Sequence, residues 1–242
     1  MTIVKPSKLA LLICSLLATQ AHAAEQEVMV VTASGFQQKI EDSAASISVI
    51  TREQLEKRAY RDVTDALKDV PGVVVTGGGS SSDISIRGMG SKYTLMLVDG
   101  KKVDSRGTRP NSDGPGIEQG WLPPLQAIER IEVVRGPMSS RYGSDAMGGV
   151  INVITRKTTG LAWQGSVHAD STFQENKDAG NSFQTDAYTA GSLIDDVLGL
   201  RFNGQLAHRG EDKFTQGFAE QETRSGTAVL SFKPDDHNRF DL

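Results

Sequence analysis

Side chains that commonly do chemistry are few in this chain and badly placed for it. The four histidines, His22, His168, His208 and His237, have no metal-ligand spacing. There is neither a G-x-S-x-G elbow nor a Walker-type phosphate loop, and Gly77-Gly78-Gly79 lacks the following helix with Lys-Ser/Thr that a phosphate cradle needs. The reading is of a protein that is not an enzyme and calls for no metal and no cofactor. Arginines are the more informative residues. Arg87 and Arg135 are each followed by glycine at the end of an apolar β-type run. A guanidinium there must find carboxylates, remain a costly unpaired charge, or face solvent. Arg106 and Arg109 stand among Gly107, Pro110, Asn111, Gly114, Pro115 and Gly116. That composition reads as an exposed loop of the kind that carries binding function, or simply as a solvated one.

The elements that must position these residues begin after a targeting segment. Lys5 and Lys8, an apolar run over 9–18 and Ala21-His22-Ala23 have the layout of a signal peptide cut after Ala23. The apolar run is shorter than the roughly 20 residues of a membrane-spanning helix. Cys14 lies inside it behind the bulky Ile13, which disfavours lipidation and leaves the mature chain without a thiol. Residues 24–157 carry 17 basic and 17 acidic side chains, and residues 158–242 carry 7 and 13. Neither part has the basic excess of a nucleic-acid binder.

From residue 46 to about 157 short β-branched runs alternate with brief helical ones, which predicts a compact α+β domain. Ser46-Ile47-Ser48-Val49-Ile50 reads as a strand, and Thr51 with Gln54 forms a capping box that opens a helix. A second helix over 62–69 puts Val63, Ala66, Leu67 and Val70 on one face and stops at Pro71-Gly72. Further strands are expected at 73–75, 83–87, 94–98, 130–134 and 150–155, with 77–82 as an exposed loop tip.

After Gly160 the period changes to two over long stretches. Leu161, Trp163, Val167, Ala169 and Phe173 alternate with Gln164, Ser166, His168, Asp170 and Thr172, and Phe202, Gly204 and Leu206 with Arg201, Asn203 and Gln205. Ala228, Leu230 and Phe232 repeat the pattern, while a strand over 183–194 is less regular. Short connections at 195–198 and 234–238 alternate with long ones at 174–182 and 210–222. This predicts antiparallel strands of a transmembrane barrel with an apolar exterior, short periplasmic turns and long outer loops. A soluble β-sandwich is the alternative. The last residues, up to Leu242, read as the start of a fifth strand, and four or five strands cannot close a barrel. The sequence therefore reads as part of a longer one.

Five segments in order resemble the TonB-dependent outer-membrane receptor family. Glu27-Val28-Met29-Val30-Val31-Thr32-Ala33 is similar to a TonB box. Ile86-Arg87-Gly88-Met89-Gly90, Leu97-Val98-Asp99-Gly100 and Ile128-Glu129-Arg130-Ile131-Glu132-Val133-Val134-Arg135-Gly136-Pro137 resemble plug motifs. The segment from Tyr142-Gly143-Ser144-Asp145 to Asn152-Val153-Ile154-Thr155 resembles the one that closes the plug and leads into the barrel. The organisation so implied is a signal peptide (1–23), a segment with the TonB box (24–45), a plug (46–157) and the first strands of a barrel of about 22 strands (158–242).

The resemblance also implies partners and roles. The box is a β-prone segment suited to pairing with an edge strand of TonB, or it is an ordinary first strand of the plug. Arg87 and Arg135 would pair with acidic residues of the barrel wall. The stretch from Gly116 to Trp121-Leu122-Pro123-Pro124 is similar to the colicin I and catecholate-siderophore receptor group. That implies a ferric siderophore as ligand, with Arg106 and Arg109 binding it, outer-membrane lipid around the barrel, and a colicin as a further partner. Cobalamin and haem receptors share much of the plug pattern. A signalling transducer would carry an extra domain before the box, where only three residues follow the proposed cut, and a passive porin or adhesin would have no use for box or plug motifs.

Overall fold

The computed structural model describes residues 29–32, 35–36, 38–78, 81–103, 117–118, 122–235 and 238–242, so the expected signal peptide lies outside the described residues. Two short strands come first, β1 (Met29–Val30) and β2 (Gln38–Lys39), paired antiparallel. β3 (Ser46–Thr51) runs into α1 (Arg52–Lys57). The junction is the expected capping box: the Thr51 hydroxyl accepts from Gln54 N, and the Gln54 side chain accepts from Thr51 N. In α2 (Val63–Leu67) the Asp62 carboxylate caps the first turn by accepting from Asp65 N. Val63, Ala66, Leu67 and Val70 are all buried, and Gly72 at φ 80° ends the run.

β4 (Val73–Gly78) and β5 (Ser81–Ile86) form a hairpin whose register continues through Gly77↔Ser82 and Gly78↔Ser81. Residues 77–78 and 81–82 of the stretch expected to be a loop tip are thus ladder, and β8 (Ile117–Glu118) pairs with the Ser81–Ser82 end. Glycine and serine yield to pairing here because a partner strand lies on that edge. The main sheet has the order β3-β9-β10-β6-β7, with β6 (Thr94–Val98), β7 (Lys101–Lys102), β9 (Ile128–Arg135) and β10 (Gly149–Thr155). A short helix, α3 (Ser139–Tyr142), lies between the two central strands.

β10 is covered on both faces, which is why it reads as a near-continuous apolar run, whereas β9 intersperses its buried apolar residues with Glu129, Arg130, Glu132 and Arg135. Ile131, Val133, Ile151 and Val153 meet the helices and the β4–β5 hairpin in the principal core. Val134 and Val150, with Leu95, Leu97 and Ala146, form a second cluster against Ile47, Met138 and Tyr142.

β11 (Gln164–Thr172), β12 (Ser182–Ile194), β13 (Leu198–Arg209) and β14 (Gln221–Phe232) make an antiparallel meander, and β15 (Phe240–Asp241) begins a fifth strand. Trp163, Val167, Phe173, Phe202 and Leu206 are exposed, whereas Gln184, Asp186, Arg201, Asn203 and Gln205 are buried. A soluble sandwich buries its apolar face; this sheet does the reverse, as a lipid-facing wall around a polar lumen does. The plug occupies the polar side. Gln184 Nε2 donates to Arg61 O (3.3 Å), an Arg201 guanidinium nitrogen donates to Arg156 O (3.3 Å), and the Arg156 guanidinium lies over the Tyr188 ring at 5.6 Å.

Asp99-Gly100 is the two-residue loop of the β6–β7 hairpin. Both residues have positive φ, 50° and 77°, the type I′ arrangement that follows strand twist. The Asp99 carboxylate then ties this turn to the end of the plug, accepting from Thr155 N (2.8 Å) and Thr155 Oγ1 (2.6 Å). Asp99→Ala removes both bonds and puts alanine in a left-handed conformation. It is expected to destabilise the plug by about 2 kcal/mol in urea unfolding, with Asp99→Asn recovering part of the loss because asparagine tolerates that backbone.

Candidate functional site

The most unusual polar group among the described residues is Glu132, which is completely buried in the middle of β9. Strand alternation turns it to the face opposite Ile131 and Val133, and its cross-strand neighbour on β10 is Asn152, also buried. The face they share is where the chain's first described residues lie. Glu132 Oε2 accepts from Val31 N (3.0 Å), Thr32 N (2.8 Å) and Thr32 Oγ1 (2.5 Å). Its other oxygen accepts from Arg130 Nε (2.8 Å) and, at 3.3 Å, from Val31 N as well.

Thr32 has every polar atom engaged. Besides donating twice to Glu132, its hydroxyl accepts from Asn152 Nδ2 (3.1 Å) and its carbonyl accepts from Tyr142 OH (2.8 Å). Asn152 Oδ1 accepts in turn from Gly100 N (3.1 Å), so the network reaches the Asp99-Gly100 turn. Val30, beside Thr32, is fully buried. A cavity of about 420 Å³ opens next to this network and is lined by Thr32, Asp99, Tyr142, Asn152, Lys157 and Arg239. Arg239 belongs to the connection between β14 and β15, on the same side of the sheet as the short 195–197 turn. The segment therefore docks at the short-turn end of the wall.

Of the residues the sequence assigned to a TonB box, Met29, Val30, Val31 and Thr32 are in this docked segment, while Glu27, Val28 and Ala33 lie outside the described residues. Within this segment Val30 and Thr32 are buried and Met29–Val30 pairs with Gln38–Lys39. Glu132, Asn152 and Tyr142 were not singled out from sequence. The signal that could have found them is a carboxylate and an amide inside apolar runs of central strands, where each must have a partner.

The second assigned pair comes together as well. Arg87 follows the last residue of β5 and Arg135 ends β9, and both side chains pass Gly72: a Cβ there would be 3.8 Å from Arg87 Cγ and 3.9 Å from Arg135 Cδ. Arg135 donates to Pro71 O (2.9 Å). Arg87 directly follows the fully buried Ile86 and is itself exposed, and among the described residues neither guanidinium meets a carboxylate. The proposed ligand-binding residues, Arg106 and Arg109, lie outside the described residues.

Residues 39–150 match the model of the TonB-dependent receptor plug domain. The chain belongs to the TonB-dependent receptor family. It is 58% identical over 216 residues to the iron-regulated outer membrane virulence protein of Vibrio cholerae, covering 89% of this chain and 33% of that one. It is 37% identical over 221 residues to the ferrienterobactin receptor of Escherichia coli, covering 86% and 29%. The crystal structure of the siderophore receptor PirA from Acinetobacter baumannii superposes with a TM-score of 0.63 at 37% identity, covering 78% of this chain and 29% of that one. The chain thus spans about a third of the length of the curated relatives it matches. The family is one of outer-membrane receptors and transporters, and the α+β plug followed by antiparallel wall strands is its architecture.

At the opposite end of the wall the two long connections are tied together. Asp212 is buried and accepts from Gly180 N (2.8 Å), Phe218 N (2.8 Å) and the Arg209 guanidinium (2.6 Å). The Gly180 and Phe218 amides, with Arg209 adding to them, hold its carboxyl below the usual carboxylate range. A depressed folded value means the stabilisation is present above the unfolded value, near about 4, and is lost as pH falls through the folded one. Hydrogen-exchange protection of the Gly180 and Phe218 amides is expected to be high at pH 6 and to fall in acid below pH of about 4. Asp212→Asn should lower it already at pH 6.

Proposed function

We propose that this chain is the N-terminal part of an outer-membrane transporter for TonB-energised uptake of ferric siderophores of the catecholate type. Residues 1–23 are its export signal, 24–45 carry the TonB box, 46–157 are the plug and 158–242 open the barrel. The observation that carries the reading is the segment Met29–Thr32, a β-prone stretch held to the plug through its backbone at the short-turn end of the wall. Glu27, Val28, Met29, Val30, Val31, Thr32 and Ala33 pair with TonB by strand addition, which asks only for free backbone groups and β-compatible side chains. The names of the similar receptors, ferrienterobactin and siderophore, support the ligand class. Arg87 and Arg135 take carboxylate partners on the barrel wall, which a guanidinium needs in order to be buried there.

In the full-length receptor Val30→Pro removes a backbone donor, so uptake of a radiolabelled ferric catecholate is expected to cease while surface binding persists. Equal loss of both would instead make the segment a structural strand. Arg106 and Arg109 attract the anionic ligand at the outer mouth. Changing both to glutamine should weaken binding several-fold at low salt and less at high salt, because screening already removes the long-range part. Unchanged affinity at low salt, or a preference of the receptor for neutral cobalamin, would sink the ligand assignment.

A further inference from the structure

Arg201 is a cation that the wall buries without giving it a carboxylate. Alternation along β13 turns it to the polar side of the sheet, where it is only 7% exposed. One terminal nitrogen donates to Arg156 O (3.3 Å), Nε has no hydrogen-bond partner, and among the described residues no acidic oxygen lies within ion-pairing distance. Arg156 adds to the positive charge, since its own guanidinium donates to the Gln164 amide oxygen (2.6 Å) and meets no carboxylate among the described residues either. A guanidinium buried in this state is costly until something anionic joins it.

Room for such a group lies beside it. Arg201 lines a cavity of about 440 Å³ between plug and wall, inside the range of about 300–1,000 Å³ typical of small-ligand sites. From the plug, Lys101 reaches the same cavity just after the Asp99-Gly100 turn; it is exposed and in no ion pair. The other lining cations are already answered, Lys102 by Asp145 and Arg239 by Asp241 (3.0 Å). Of the described lining acids the remaining one, Asp99, has its oxygens engaged by Thr155. Val98, Leu122 and Val229 supply apolar surface next to the two unanswered cations. Together they complement a group with an aromatic face and an anionic edge. The cavity also shares Asp99, Thr155, Arg239 and Asp241 with the one beside Thr32, so the two are successive stretches of a single seam leading to the short-turn end.

We infer that Arg201 and Lys101 form an internal anion subsite in the plug–wall seam, which takes one catecholate arm of the ferric siderophore on its way to the periplasm. The inference rests on the ligand class proposed above and adds a second place where that ligand is held. Without these cations a charged ligand entering the seam loses its water with nothing in exchange, so their removal slows passage and leaves capture at the outer surface as it was.

The test uses the full-length receptor in cells, with radiolabelled ferric enterobactin as probe. Lys101→Gln and Arg201→Gln are each expected to lower the saturated uptake rate by about three- to tenfold, while the half-saturating concentration and the binding to energy-depleted cells stay at wild-type values. Arg201→Lys should keep part of the rate, and Lys101→Glu should be slower than Lys101→Gln, an order set by charge that a merely structural role does not produce. If Arg201→Gln fails to give a heat-modifiable barrel, the two Lys101 variants decide, because that side chain is exposed on a hairpin. Wild-type uptake rates in every folded variant would overturn the subsite and leave the ligand class standing, and so would a loss of surface binding equal to the loss of uptake. A wild-type receptor that binds no ferric enterobactin would overturn the ligand class, and the subsite with it.

Discussion

A carboxylate buried in the middle of a β-sheet is the constraint around which the plug is organised. An isolated buried charge costs several kcal/mol, so Glu132 can be tolerated only with donors brought to it. Arg130 supplies one from the same strand, and the rest come from about a hundred residues away, at Val31 and Thr32. The segment Met29–Thr32 is therefore not merely draped on the plug. Its backbone completes the coordination of a core residue, and Asn152 and Tyr142 orient the same threonine from β10 and α3.

The second organising feature is inverted polarity of the wall. Outward residues such as Val167, Phe202 and Leu206 suit lipid, while Asp186, Arg201 and Asn203 line the side that faces the plug. A plug in such a lumen meets polar groups, so its wall contacts include hydrogen bonds from Gln184 and Arg201 and a guanidinium over Tyr188, beside a small apolar cluster of Ala127 with Tyr188 and Ala190. Contacts of this kind are individually weak and exchangeable with water. They position the plug while leaving its own apolar core, around Ile131, Val133, Ile151 and Val153, undisturbed.

Several short motifs acquire a geometric meaning. In Leu97-Val98-Asp99-Gly100 the aspartate and glycine make the turn, and the same aspartate fastens Thr155 just before the chain passes to the wall. In Gly148-Gly149 a Cβ on the second glycine would come within 2.4 Å of the Val134 carbonyl oxygen, so β10 can approach β9 at that point only without a side chain. At Gly72 the left-handed φ of 80° calls for glycine, since a Cβ there would meet Arg87 and Arg135 only at ordinary contact distances. The motifs are thus solutions to close packing and turn formation before they are anything functional.

What the sequence determined by itself follows from local physics. The Thr51–Gln54 capping box, the apolar face of α2, the two-residue alternation of β11, β13 and β14, and the alternation of short and long connections each depend on neighbours a few residues apart. Tertiary structure decided what depends on distant partners. That 77–78 and 81–82 are ladder and not loop follows from an available sheet edge, because glycine and serine have little preference of their own. That Val30 and Thr32 are buried follows from Glu132, whose need for donors is visible in an apolar run but whose choice of donors is not. Alternation says on which face a buried carboxylate lies; only the folded chain says which backbone satisfies it.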